Sequence, residues 1–188
     1  IIPKSNITLK NIALNKTRIA FIDVLKKMGG KIKIKKTKTI CGEDVGEINV
    51  IHSLLKGIKI SSSSSPYLID EYPILSVAAS QAKGITIMKG LSELRHKESD
   101  RIKSITSNLS KIGFHIISKK DDIIIKGSKK ITITKGVKIK TYGDHRIAMS
   151  FSILSLLFEN KFIIDDESCI SISYPDFKEH LETLSTLY

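Results

Sequence analysis

The chain has 188 residues, 41% of them hydrophobic, which suits one domain with a buried core and excludes a disordered tail. Its net charge of +12 would suit nucleic acid, but the lysines are scattered, only 6% of residues are aromatic and Trp is absent, so multiply anionic small molecules account for the charge equally well and nucleic acid is not the expected partner. The longest apolar stretch, residues 147–158, is interrupted by serines and too short to cross a bilayer, so no membrane partner is expected.

In chain order, Ile1 opens without a methionine inside an extended segment, so the expectation is a portion of a longer chain. Residues 7–9 alternate as a strand, and Asn15 and Thr17 offer a helix cap. Phe21, Ile22, Leu25 and Met28 then form an apolar helical face that stops at Gly29 and Gly30, before residues 31–34 return to strand periodicity. The same order of strand, loop, helix and strand recurs at residues 85–117, where Ile102, Ile105, Leu109 and Ile112 share a helix face that ends at Gly113. It begins a third time at residues 162–164, followed by Pro175 at a helix start and Phe177, Leu181 and Leu184 behind it. An internal repeat is predicted.

Residues 73–82 and 147–158 are apolar on nearly every face and read as interior helices, with the amphipathic helices outside them. Residues 48–52, 58–61, 123–126 and 131–134 read as covering strands, 61–65 as a flexible serine loop, and 127–140 as an exposed hairpin and connector. Cys41 and Cys169 are isolated and lack metal-ligand spacing, so reduced thiols, no disulfide, no zinc and a cytoplasmic location are expected.

The chemistry concentrates at three helix mouths. Residues 93–102 read E-L-R-H-K-E-S-D-R-I, which places Arg95, Lys97 and Arg101 near the positive end of a helix dipole, where cations are disfavoured. With the helix starting near Lys97, Lys97 and Arg101 share a face and repel by a few tenths of a kcal/mol unless an anion lies between them. Glu98 adds a carboxylate for proton transfer. The alternative is a solvated helix start capped by Ser99 and Asp100. Gly143, Asp144, His145 and Arg146 form a second such mouth, although Asp144 alone would be an ordinary N-cap. Asp70, Glu71, Tyr72 and Pro73 form the third, with carboxylates. Two basic mouths and one acidic one make a site for an anionic substrate whose hydroxyl must lose a proton.

The motifs L-x-E-L-R-x-K-E-S-D-R, D-E-Y-P-x-L and G-D-H-R-I-A-M resemble those of the 5-enolpyruvylshikimate-3-phosphate (EPSP) synthase family. The resemblance runs in order from P-x-S-x-x-T-L-x-N and N-x-T-R to S-Y-P-D-F. It implies an α/β, inside-out barrel of repeated βαβαββ units, with sheets around buried parallel helices. It also implies that residues 1–188 are one domain, most of the carboxyl-terminal half of a two-domain, monomeric enolpyruvyl transferase whose amino-terminal domain is the missing partner.

The reaction it implies transfers the enolpyruvyl group of phosphoenolpyruvate to the 5-hydroxyl of shikimate 3-phosphate with loss of phosphate, and requires no metal or cofactor. By the same resemblance Asp70 is the base near the hydroxyl, Lys97 a shikimate 3-phosphate contact and possible proton donor, and Glu98 the acid/base partner. Arg101 and Arg146 grip phosphoenolpyruvate, and His145 supports its phosphate. Two positions depart from the family pattern: Ile172 stands where many members have a lysine, and Glu93 where others place an Asn. The D-E-Y-P spelling and the absent lysine are more like the divergent bacterial branch, where glyphosate inhibition differs. The family's upstream S-K-S-x-x-x-R segment is not in this chain, so the chain alone is expected to be inactive. The rivals are the sister enzyme acting on UDP-N-acetylglucosamine, and a noncatalytic nucleic-acid-binding domain whose affinity would fall steeply with salt.

Overall fold

The computed structural model describes residues 1–133 and 135–185. The chain opens with β1 (Asn6–Ala13), α1 (Ala20–Lys27), β2 (Lys31–Ile40) and β3 (Glu43–Ile51). It continues through β4 (Lys59–Ile60), a 3-10 helix (Ser62–Tyr67), α2 (Tyr72–Ser80), β5 (Gly84–Met88), a second 3-10 helix (Ser92–His96), α3 (Arg101–Ile112), β6 (His115–Lys119) and β7 (Asp122–Gly127). The last part holds β8 (Lys138–Ile139), α4 (His145–Ser155), β9 (Ile163–Ile164), α5 (Ser168–Ser173) and α6 (Phe177–Ser185).

The predicted repeat is present, and the sheets reveal its phase. The middle unit runs β4–α2–β5–α3–β6–β7, and its sheet has the order β4-β5-β7-β6, with β4 and β5 parallel and the remaining pairs antiparallel. The first sheet has the order β1-β3-β2, which repeats β5-β7-β6. The pair β8-β9 is parallel, as β4-β5 is, and α4 connects its strands as α2 connects the other pair. A parallel pair needs a crossover, so the interior helices α2 and α4 are the crossover connections within the units. The sheets surround buried helices, the inside-out α/β arrangement expected.

Helix α2 is buried along nearly its whole length, including Tyr72, Pro73, Leu75, Val77 and Ala79. With α4 and α3 it forms the centre of one core that also takes in Met88, Ile123, Ile125, Phe151 and Leu154. Each such side chain contributes about 1.5–3 kcal/mol by leaving water. Helix α3 starts later than its charge pattern predicts. Its N-cap is Asp100, whose Oδ1 accepts from the Lys103 amide at 3.0 Å, so Lys97 lies outside the helix in an extended conformation. Its end at Gly113 is as predicted: that residue has φ +111°, which a side chain would strain.

Other differences have local causes. The serine run is a 3-10 helix, with the Ser61 hydroxyl accepting from the Ser63 amide, rather than a loop. Residues 131–133 form no strand, and Thr134, the end of that predicted strand, lies outside the described residues. The connector after β7 instead contains β8, a two-residue strand created by its pairing with β9.

Gly127 is not an exposed connector residue. A Cβ there would lie 2.0 Å from the Ala82 carbonyl oxygen and 2.7 Å from that of Ala79, both backbone atoms at the end of α2. Gly127→Ala is therefore expected to destabilise the fold by about 1–3 kcal/mol through overpacking, read as a lower urea midpoint with unchanged slope. A midpoint equal to wild type would show that α2 and β7 can separate freely.

Candidate functional site

The three mouths converge at one end of the helical core, and Arg101 is where they meet. This first residue of α3 is wholly buried. Its Nε donates to Asp144 Oδ2 at 2.8 Å, its NH1 donates to Asp70 Oδ1 at 3.0 Å, and its NH2 pairs with Glu98. Asp70 precedes α2, Glu98 precedes α3 and Asp144 caps α4, so one guanidinium joins all three helix starts. Tight burial of an arginine is tolerated only when its donors are satisfied by such partners.

Asp144 is as buried as Arg101. Its Oδ1 accepts from the Arg146 amide at 2.9 Å, and its Oδ2 accepts from the Ser99 hydroxyl at 3.0 Å as well as from Arg101. Burial pushes its pKa up, but the hydrogen bonds and charge of Arg101, helped by the Arg146 amide and Ser99, hold it below the ordinary carboxylate value. Burial likewise pulls the Arg101 pKa down, and Asp144, Asp70 and Glu98 outweigh it and hold it above the ordinary value.

Arg146 reaches across to the acidic mouth. Its NH1 donates to the Asp70 carbonyl oxygen at 3.1 Å, its NH2 pairs with Asp70 Oδ2 at 3.3 Å, and Glu71 lies 4.0 Å away. Asp70 thus binds both arginines instead of capping α2, whose N-cap is Glu71. Burial, with the charge of Asp70 beside it, raises the Glu71 pKa against the opposing pull of Arg146. Asp70, Glu71 and Arg146 line a cavity of about 220 Å³ with Ile74, Met149 and Phe177, the last from α6.

The other predicted site residues are peripheral to this network. Lys97 is exposed and makes no hydrogen bond or ion pair among the described residues. It is not on a helix face with Arg101, so an anion lying between them in that geometry is not what this structure offers. His145 is half-buried at the first position of α4. Arg95 turns away to Asp100 and Asp121, each at 3.2 Å, tying the 3-10 helix to the β6–β7 turn. Glu93 is exposed at the start of that 3-10 helix, and Ile172 is 88% exposed on α5.

The electrostatic character differs from the two basic mouths predicted. Two arginines face Asp70, Glu71, Glu98 and Asp144, so the cations are already compensated. Asp144 and Ser99 are the members that the sequence presented only as caps. No local signal marked Asp144 as the partner of Arg101, because the two are 43 residues apart. As built, the site offers a carboxylate bridging two guanidinium groups, beside a second carboxylate, Glu98, that is half exposed. That arrangement can accept a proton from a hydroxyl and can exchange a side-chain carboxylate for an anionic ligand.

Known proteins resemble the chain throughout. The profile of the family described as EPSP synthase (3-phosphoshikimate 1-carboxyvinyltransferase) matches residues 1–181. The 3-phosphoshikimate 1-carboxyvinyltransferase of Petrotoga mobilis is 44% identical over 183 residues, covering 97% of this chain and 42% of that protein. The enzyme of the same name from Bacillus pumilus is 42% identical over 185 residues, covering 98% of this chain and 43% of that one. A solved EPSP synthase from Acinetobacter baumannii superposes with a TM-score of 0.90 at 34% identity, over 96% of this chain and 42% of that one. The enolpyruvyl transferase NikO from Streptomyces tendae, at 14% identity and a TM-score of 0.72 over 96% of this chain and 38% of that one, shares the fold. This chain spans about 42% of the length of the curated relatives it matches. Among the described residues, no helix is long and apolar enough to cross a membrane.

Proposed function

Because the chain belongs to the EPSP synthase family, we propose that it supplies one wall of an active site that transfers the enolpyruvyl group of phosphoenolpyruvate to the 5-hydroxyl of shikimate 3-phosphate. The observation that carries this reading is the joining of Asp70, Glu98, Arg101 and Arg146 into one network at three converging helix starts. In the addition step the hydroxyl oxygen bonds to the central carbon of phosphoenolpyruvate while Asp70 takes its proton. Lys97 or Glu98 delivers a proton to the methylene carbon, which becomes a methyl group. Elimination then returns a methyl proton to the side chain that supplied it, re-forms the carbon–carbon double bond and breaks the carbon–oxygen bond to phosphate.

Arg101 and Arg146 hold the phosphoenolpyruvate anion in this reading, and His145 supports the phosphate. For an anion to reach Arg101, Glu98 must yield its place, and its half-exposed side chain is free to do so. In this proposal residues 1–188 form one domain of a monomeric cytoplasmic enzyme, and a further domain of the same polypeptide closes over the substrates and excludes water. The chemistry is addition and elimination at carbon, which needs neither metal nor cofactor.

The test is phosphate release from phosphoenolpyruvate by the complete encoded polypeptide. Release that depends on shikimate 3-phosphate is expected. A well-folded polypeptide that releases none would end this assignment, and release that depends on UDP-N-acetylglucosamine instead would move it to the sister reaction.

A further inference from the structure

The contacts around Arg101 divide into a sealed side and an open side. Asp144 is on the sealed side, with both partners at 0% side-chain exposure, whereas Asp70 and Glu98 are 30% and 48% exposed. An incoming anion can therefore displace Glu98 from the guanidinium but cannot displace Asp144. We propose that Asp144 is a positioning residue for phosphoenolpyruvate, acting through Arg101 and not by touching the substrate. The inference rests on the enolpyruvyl-transfer reading above and extends it to a residue that the reaction scheme leaves without a role.

The geometry supports positioning in three ways. Asp144 Oδ2 takes the Nε–H of Arg101, and Oδ1 lies 3.5 Å from NH2, so the carboxylate defines the plane of the guanidinium. Asp144 is itself fixed from both sides, by the Ser99 hydroxyl on Oδ2 and the Arg146 amide on Oδ1. The Ser99 hydroxyl also accepts from Ser104, one turn into α3, which anchors it in turn. As a result NH1 faces Asp70 and NH2 faces Glu98, and NH2 is the group that a ligand anion reaches when Glu98 yields. The same carboxylate caps α4, so it sets the start of the helix carrying Arg146 and the plane of Arg101 together.

The experiment uses the complete encoded polypeptide and measures phosphate release while each substrate is varied, for wild type, Asp144→Asn and Ser99→Ala. Asparagine keeps the shape and the cap but loses the charge and one acceptor. The expected result is a KM for phosphoenolpyruvate raised by about tenfold or more in Asp144→Asn and by about two- to fivefold in Ser99→Ala, with the KM for shikimate 3-phosphate within about twofold of wild type. A merely structural role would lower the melting temperature and affect both substrates in parallel, and that outcome overturns the proposal. So does an unchanged phosphoenolpyruvate KM in a folded variant. Where Asp144→Asn does not fold, Ser99→Ala decides by the same criterion. A wild type without turnover removes the reaction and this inference with it, whereas a turning-over wild type with substrate-independent losses in the variants removes this inference alone.

Discussion

Replacing Arg101 by Met is expected to destabilise the fold by about 3–5 kcal/mol, because it leaves Asp144 ionised and unpaired in a site that water does not reach. Equilibrium urea unfolding measures this directly. The double substitution Arg101→Met with Asp144→Asn removes the stranded charge, so it should recover a good part of the loss. A double variant less stable than the single one would mean that the cost lies in packing around the arginine stem.

The pH dependence provides a second check on the same substitution. In the wild type the Asp144 pKa lies below its unfolded value, so the pair contributes stability that is present above the unfolded pKa and lost as pH falls through the folded one. In Arg101→Met, burial without the cation raises the folded pKa above the unfolded one. The protonated carboxyl then folds without penalty at low pH, and the penalty develops as pH rises through the folded pKa. The gap between wild type and variant should therefore be widest at neutral pH and narrow towards acid. A gap independent of pH would show that Asp144 does not carry the charge assigned to it.

Asp70→Asn should have the larger effect on activity. Within the proposed reaction it removes the proton acceptor while keeping the shape of the side chain, so kcat is expected to fall by about 10²–10⁴-fold in the complete polypeptide. Stability should change far less, by about 1 kcal/mol, because the amide oxygen of the substituted side chain still accepts from Arg101, Asp144 and Glu98 still balance that charge, and the pairing with Arg146 is partly solvated. The two substitutions thus separate the members of one network: Arg101 fails in folding and Asp70 in chemistry. A variant that retains wild-type kcat would remove Asp70 from the role of base and shift attention to Glu98.

What could be read from the sequence follows from where the controlling interactions lie. The α3 periodicity at Ile102, Ile105, Leu109 and Ile112 and its Gly113 stop are local, and both are present as expected. The start of that helix is not legible, because a run of charges carries no periodicity and only the Asp100 bond to the Lys103 amide fixes it. Strand β8 leaves no mark in the sequence, because two residues have no pattern of their own and pairing with β9 makes the strand. Helix α5 is likewise only six residues long. In the site, the three helix mouths and their acidic and basic residues were legible. The burial of Arg101 was not, since an arginine at a helix start normally faces solvent. Its partners Asp70 and Asp144, 31 and 43 residues away, reverse that expectation through tertiary contact.

Those same separations bear on the order in which the molecule is assembled. A bond between Ser99 and Asp144 closes a loop of 45 residues, and the bond from Arg101 to Asp70 closes one of 31 in the other direction. Hairpins such as β6–β7 close over a few residues and can form early, whereas the Arg101 junction needs α2, α3 and α4 docked at once. Until then, Asp144 and Arg101 remain hydrated and nothing is gained by bringing either one indoors alone. The junction therefore reports on completed assembly: a chain with α3 or α4 misplaced has an isolated charge to expel, and the state in which that charge is matched is also the one that the proposed reading needs for holding an anion.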